Sequence, residues 1–227
     1  MNLEAKLARM GVESNVLRES AIMLKVCNDW PGEAFTEELV SARYWSDFSS
    51  NAKAAAAELV RVKDMGEAEE KLAELIESLG VKKVVAVGGE ELPALNHLYD
   101  ELAEKTELYR DKFDIARQAP KADLGISVAE FGVGETGSVC VDTYAYESRV
   151  VGMLPPVHVV FLNPAYTVKD VETAFEVIEK VYDTGYMGFI TGPSRTADIE
   201  RVLSLGVHGP SRFIIMAVEQ GLEGQVH

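Results

Sequence analysis

Glu135 sits among three glycines in the run Gly-Val-Gly-Glu-Thr-Gly-Ser at 132–138, at the mouth of the apolar run Val139-Cys140-Val141. A carboxylate so placed can serve as a general base, as a nucleophile towards an acyl group, or as the acceptor for a ligand hydroxyl. Gly134 and Gly137 let a backbone come close to a ligand, and Thr136 adds a hydroxyl. A structural reading is also open: the acid pairs with a nearby arginine or caps a backbone N–H. An ordinary hairpin would use Asn-Gly or Asp-Gly here. The spacing also departs from the Gly-x-x-x-x-Gly-Lys phosphate loop.

A second stretch, Thr-Gly-Pro-Ser-Arg-Thr-Ala-Asp-Ile-Glu at 191–200, reads as a strand end, a turn and a helix start. Ser194, Arg195 and Thr196 then fall in the first helical turn. Free N–H groups and the helix dipole favour an anion there, and Arg195 can grip a carboxylate or phosphate through two nitrogens. Simple capping by Ser194 or Thr196, with Arg195 in solvent, uses the same residues. His208 lies in the tight Gly-Val-His-Gly-Pro loop, where it can carry a proton or hold a ligand. His158 follows Pro155-Pro156 and is expected to bond to turn backbone. No His-x-x-x-His pair or His-Glu-x-x-His occurs, so no metal site is expected.

Composition narrows the partners. The 227 residues carry 37 Asp and Glu against 22 Lys and Arg, a net charge of −15. Such a surface repels phosphate backbones and anionic lipid, so neither nucleic acid nor membrane is expected as a partner. A small anion can bind only where local groups overcome that field. The two cysteines, Cys27 and Cys140, are too few for the four thiolates of a usual iron–sulfur cluster, and no cofactor is expected in this chain. No basic segment followed by an apolar one opens the chain, and the uncharged stretch 150–168 is broken by prolines. The expected location is the cytoplasm.

The elements that must hold these residues alternate. Residues 1–60 read as a helical extension, with Trp45, Phe48, Ala52, Ala55, Ala56 and Leu59 at helical spacing. A helix over 67–79 ends at Gly80, and an apolar strand follows at 82–87. A helix comes next, with Leu95, Leu98 and Leu102 inward. Strands at 137–142 and 158–162 precede a helix over 169–185 whose inner face is Val171, Ala174, Phe175, Ile178 and Val181. Strands at 187–192 and 212–218 flank the expected helix over 194–206. Such alternation predicts an α/β fold with a mainly parallel sheet flanked by helices, spanning 61–220, before a frayed tail at 221–227.

Four stretches in order, Ala-Asp-Leu-Gly-Ile-Ser-Val-Ala-Glu-Phe-Gly-Val-Gly-Glu-Thr-Gly-Ser-Val, Leu-Pro-Pro-Val-His-Val-Val-Phe-Leu, Gly-Pro-Ser-Arg-Thr-Ala-Asp-Ile-Glu and Gly-Val-His-Gly-Pro, resemble the LUD-domain family. Within it they resemble the lactate utilisation protein C branch, over roughly residues 45–218. Gly134 and Ser138 depart from the Ala and Thr more usual there. The resemblance implies a fold like the NagB/RpiA/CoA-transferase group. It also implies a part in oxidising L-lactate to pyruvate beside iron–sulfur partner proteins. Catalysis by Glu135 is an extension by fold analogy. Three readings stay open: a subunit of a lactate-oxidising system that binds a small anion; a free-standing enzyme on an acyl or phosphorylated metabolite; and an assembly protein. Under the first, a small anion or a partner would meet Glu135, Ser194, Arg195, Thr196 and His208, with Gly134, Thr136 and Gly137 of the same turn, and Arg195 would stand as the counter-charge of Glu135.

Overall fold

The structure, a computed structural model, describes residues 36–89, 92–182, 186–197, 203–205 and 208–222. Helix α1 (Trp45–Ala54) buries Phe48 and Ala52, follows a single 3-10 turn at Ala42–Tyr44, and stops where Ala56 takes a positive φ of 66°. The expected continuation of this helix through Leu59 is corrected. Glu58–Val62 is a strand, β1, because the chain reverses at Ala55–Ala57 and β1 pairs with the carboxyl-terminal strand. The expected division at residue 60 therefore falls inside a strand. Residues 1–35 lie outside the described residues.

Helix α2 (Met65–Leu79) starts on Asp64, whose carboxylate accepts the Glu67 N–H, and ends on Gly80 in the left-handed region. Strand β2 (Lys83–Ala86) leads to helix α3 (Pro93–Ala103), whose Leu95, Leu98 and Leu102 are buried as their spacing predicts. Strand β3 (Glu107–Tyr109), helix α4 (Lys112–Gln118) and strand β4 (Leu124–Val128) follow. After strands β5 (Phe131–Val133) and β6 (Ser138–Asp142) come helix α5 (Tyr146–Met153) and strand β7 (Val157–Leu162). The short strand β8 (Thr167–Val168), helix α6 (Val171–Val181) and strand β9 (Met187–Ile190) lead to β10 (Arg195–Ala197), β11 (Leu203–Leu205) and β12 (Arg212–Val218).

Six strands form a wholly parallel sheet in the order β1-β12-β7-β4-β2-β3. Its central strands are apolar on both faces, as a covered parallel sheet demands. Ile214, Met216 and Val218 of β12 face α2 and α3, while Phe213 and Ile215 face α1 and the second sheet. That second sheet, β8-β5-β6-β9, is mostly antiparallel, and α6 packs on its far side over Phe131, Val133 and Cys140.

Three expectations change at the level of elements. Thr173, Ala174, Val177 and Val181 form the buried face of α6, whereas Val171 and Phe175 are exposed. The Phe175 ring instead meets Phe189 at 5.9 Å. Residues 194–197 do not open a helix: Arg195–Ala197 pairs antiparallel with Leu203–Leu205. Of the tail expected to fray, Leu222 is buried, and 223–227 lie outside the described residues. No helix among the described residues is long and apolar enough to cross a membrane.

Candidate functional site

Glu135 lies at the tip of the turn between β5 and β6, and its side chain is exposed. Its Oε2 accepts the Val171 N–H at 3.2 Å, at the start of α6. Asp170 already caps this helix through Thr173, so Glu135 is a second anion at the positive end of one helix. The turn's backbone is pinned from two sides. Gly134 and Glu135 donate to the carbonyls of Val168 and Lys169, and the Asn51 amide of α1 donates to the carbonyls of Gly134 and Glu135 at 2.8 and 3.0 Å.

The glycine at 137 has a packing cause. It takes φ +67°, and a Cβ there would sit 2.1 Å from the Ala52 nitrogen in α1. Gly192 repeats the pattern at φ +73°, with a Cβ 2.2 Å from the Ala55 carbonyl oxygen. Both turns are bare so that they can lie on the backbone at the end of α1.

The turns adjoin one another. Ser138 and Thr191 hydroxyls meet at 2.6 Å, and Thr136 accepts from the Ser138 hydroxyl at 2.8 Å. The Ser194 N–H donates to the Pro210 carbonyl at 2.8 Å, and Gly209 packs on the Ser194 side chain. Residues 134–138, 191–194 and 208–210 thus form one continuous chain of contacts, in which Gly134, Gly137, Ser138, Pro193 and Pro210 are buried. Arg195 and His208 are exposed at its 194–210 end. That end lies by the amino ends of the parallel strands, since Ser211 bonds to Pro156 and Arg212 to Glu58. The pairing expected between Glu135 and Arg195 is not present among the described residues. Nor is there a helix N-terminus at Ser194–Thr196 to hold an anion, because that segment is spent in a hairpin. Thr196 lies on β10, opposite Ser204.

His158 is not bonded to turn backbone as expected. It is fully buried, its Nε2 is 2.8 Å from the Ser127 hydroxyl, and its Nδ1 has no hydrogen-bond partner. Burial lowers its pKa from 6.5 to about 4. Elsewhere, the Tyr182 hydroxyl donates to Glu130 at 2.8 Å, and Cys140 lies buried nearby with its pKa raised by burial first and then by Glu130 and Asp142. The sequence reasoning passed over Asn51, Glu130 and Tyr182. Only tertiary pairing brings them to the turns and strands they serve. No group of three or more His, Cys, Asp or Glu able to hold a metal occurs among the described residues.

The LUD domain family model matches residues 46–218, three quarters of this chain, from the second residue of α1 to the end of β12. The chain belongs to the LUD domain family. It is 30% identical over 131 residues to "Lactate utilization protein C" of Geobacillus thermodenitrificans, covering 53% of this chain and 55% of that one. It is 31% identical over 107 residues to "Uncharacterized protein YkgG" of Escherichia coli, covering 45% and 46%. This LUD domain protein spans about half the length of the curated relatives it matches. A crystal structure of a DUF162 family protein from Deinococcus radiodurans shares the fold, with a TM-score of 0.53 at 19% identity over 78% of this chain and 97% of that one.

Proposed function

We propose that this protein is a subunit of a system that oxidises L-lactate to pyruvate, working beside iron–sulfur proteins and holding a small anion on the surface formed by the glycine turns. The observation that carries this reading is the similarity to several relatives named lactate utilization protein C, within a family to which the chain belongs. Oxidation of lactate removes two electrons and two protons from its carbinol. In this reading the partners take the electrons, and this chain positions the acid. Arg195 and His208 meet the carboxylate, and the Ser194 hydroxyl and the Thr136–Ser138–Thr191 hydroxyl chain border the site. Glu135 stays on α6 and shapes the turn rather than reacting.

A second reading keeps the family role but makes these turns assembly devices. The contacts of Gly137 and Gly192 with α1 favour it. One experiment separates the two. The double variant Arg195→Ala/His208→Ala, returned to a strain lacking the wild-type gene, is expected to abolish growth on L-lactate. Both side chains are exposed, so the melting temperature should hold. Full growth with the double variant would leave the assembly reading standing.

A further inference from the structure

An open groove of 580 Å³ runs between α1 and the edge strand β1, away from the glycine turns. Arg61 is the fourth of the five residues of β1, Pro164 follows the end of β7, and Glu219 follows the end of β12, so the groove opens beyond the carboxyl ends of three parallel strands. Ligands of open α/β sheets bind at that end. Ser46, Ser49 and Lys53 recur at helical spacing along one face of α1, and Leu59 and Arg61 share one face of β1.

The cations here are arranged and partly free. Arg61 donates through Nε to Glu219 at 2.6 Å, and its guanidinium lies 5.8 Å from the Trp45 ring centre. Those two contacts leave both terminal nitrogens without a partner among the described residues. The Lys53 ammonium and the Ser46 hydroxyl likewise have none. Arg43 is held through Nη2 by the Glu38 carbonyl and the Tyr44 hydroxyl. The described residues that line the groove include no carboxylate, and Glu219 offsets one of its three positive charges through Arg61. In a chain of net charge −15, three cations around one concavity make a local exception to a field that otherwise repels anions. The floor is apolar, formed by Leu59 and Trp45, and the volume far exceeds what a three-carbon acid fills.

We propose that this groove binds a nucleoside diphosphate or a close analogue. Arg61, Lys53 and Arg43 take the phosphates, and Leu59 and the Trp45 edge take the base and sugar. Arg61 is preorganised for two parallel bonds to one phosphate, which reduces the ordering cost of binding. The test is calorimetric titration of the full chain with ADP, inorganic pyrophosphate and adenosine, at low and at high salt. ADP is expected to bind saturably, to weaken as salt rises, and to bind more tightly than pyrophosphate or adenosine. Lys53→Gln/Arg61→Gln should weaken ADP by roughly tenfold or more while the melting curve holds. Absence of saturable ADP binding at low salt overturns the proposal. So does equal affinity for pyrophosphate, which would make the site a generic anion patch, or unchanged ADP binding by the double variant.

Discussion

Glu135 Oε2 receives the Val171 N–H at 3.2 Å across 36 residues of chain, tying the β5–β6 turn to the first turn of α6. The carboxylate is exposed and no buried ion pair depends on it. Glu135→Gln keeps an acceptor and loses the charge, so a fall in unfolding free energy of only about 0.5–1 kcal/mol is expected. Urea unfolding of the variant checks this. A loss near the roughly 3–5 kcal/mol of a broken buried ion pair would contradict the geometry.

The two glycines that lie on α1 predict a larger effect. Gly137→Ala and Gly192→Ala each force a Cβ onto backbone at 2.1 and 2.2 Å, in a left-handed conformation. Backbone cannot move aside as a flexible side chain can, so a loss of about 3 kcal/mol or more is expected for each. Gly80 is the internal control. Its φ is +63° but nothing lies within 4 Å of an added Cβ, so Gly80→Ala should cost only about 1–2 kcal/mol. Equal losses at all three positions in chemical denaturation would show that φ alone, and not the approach to α1, sets the glycine requirement.

Much of the sheet was legible because its strands are buried on both faces. Lys83–Ala86, Val157–Leu162 and Arg212–Val218 are near-continuous apolar runs, the pattern of a parallel strand covered on both faces. Glu58–Val62 was hidden because Ala-rich sequence precedes it and neither Gly nor Pro marks the reversal at Ala56. Arg195–Ala197 was misread because Ser194, Thr196 and Asp198 carry the chemistry of a helix cap, while pairing with Leu203–Leu205 decided its conformation. At the candidate site, the glycine turns could be picked out locally. The partner of Glu135 could not, because a bond to a backbone N–H leaves no mark on the identity of Val171.

Cys140 is expected to be inert in the folded protein. Its thiol is buried between β5 and β9, and burial together with the nearby Glu130 and Asp142 holds its pKa far above neutral. Thiolate is the reactive form, so alkylation at pH 8 should leave the Cys140 peptide unmodified until denaturant is added. Peptide mass mapping distinguishes it from Cys27. Rapid modification of Cys140 under native conditions would mean that the second sheet opens readily.

His158 predicts an acid-side loss of stability. Its folded pKa of about 4 lies below the unfolded value of 6.5, so the folded state favours the neutral ring. Between these values the unfolded chain binds more protons, and stability must rise with pH. The contribution is complete above about pH 6.5, falls as the pH drops through the window, and is lost near pH 4, a change of about 3 kcal/mol. Carboxylates also titrate towards the lower end, so the difference between wild type and His158→Gln is the useful quantity. Gln retains a partner for the Ser127 hydroxyl but cannot take a proton in this range. The variant's unfolding free energy should therefore change less with pH between 6.5 and 4 than that of the wild type. Parallel pH profiles for the two proteins would mean that the ring is charged, or reached by water, in the folded state.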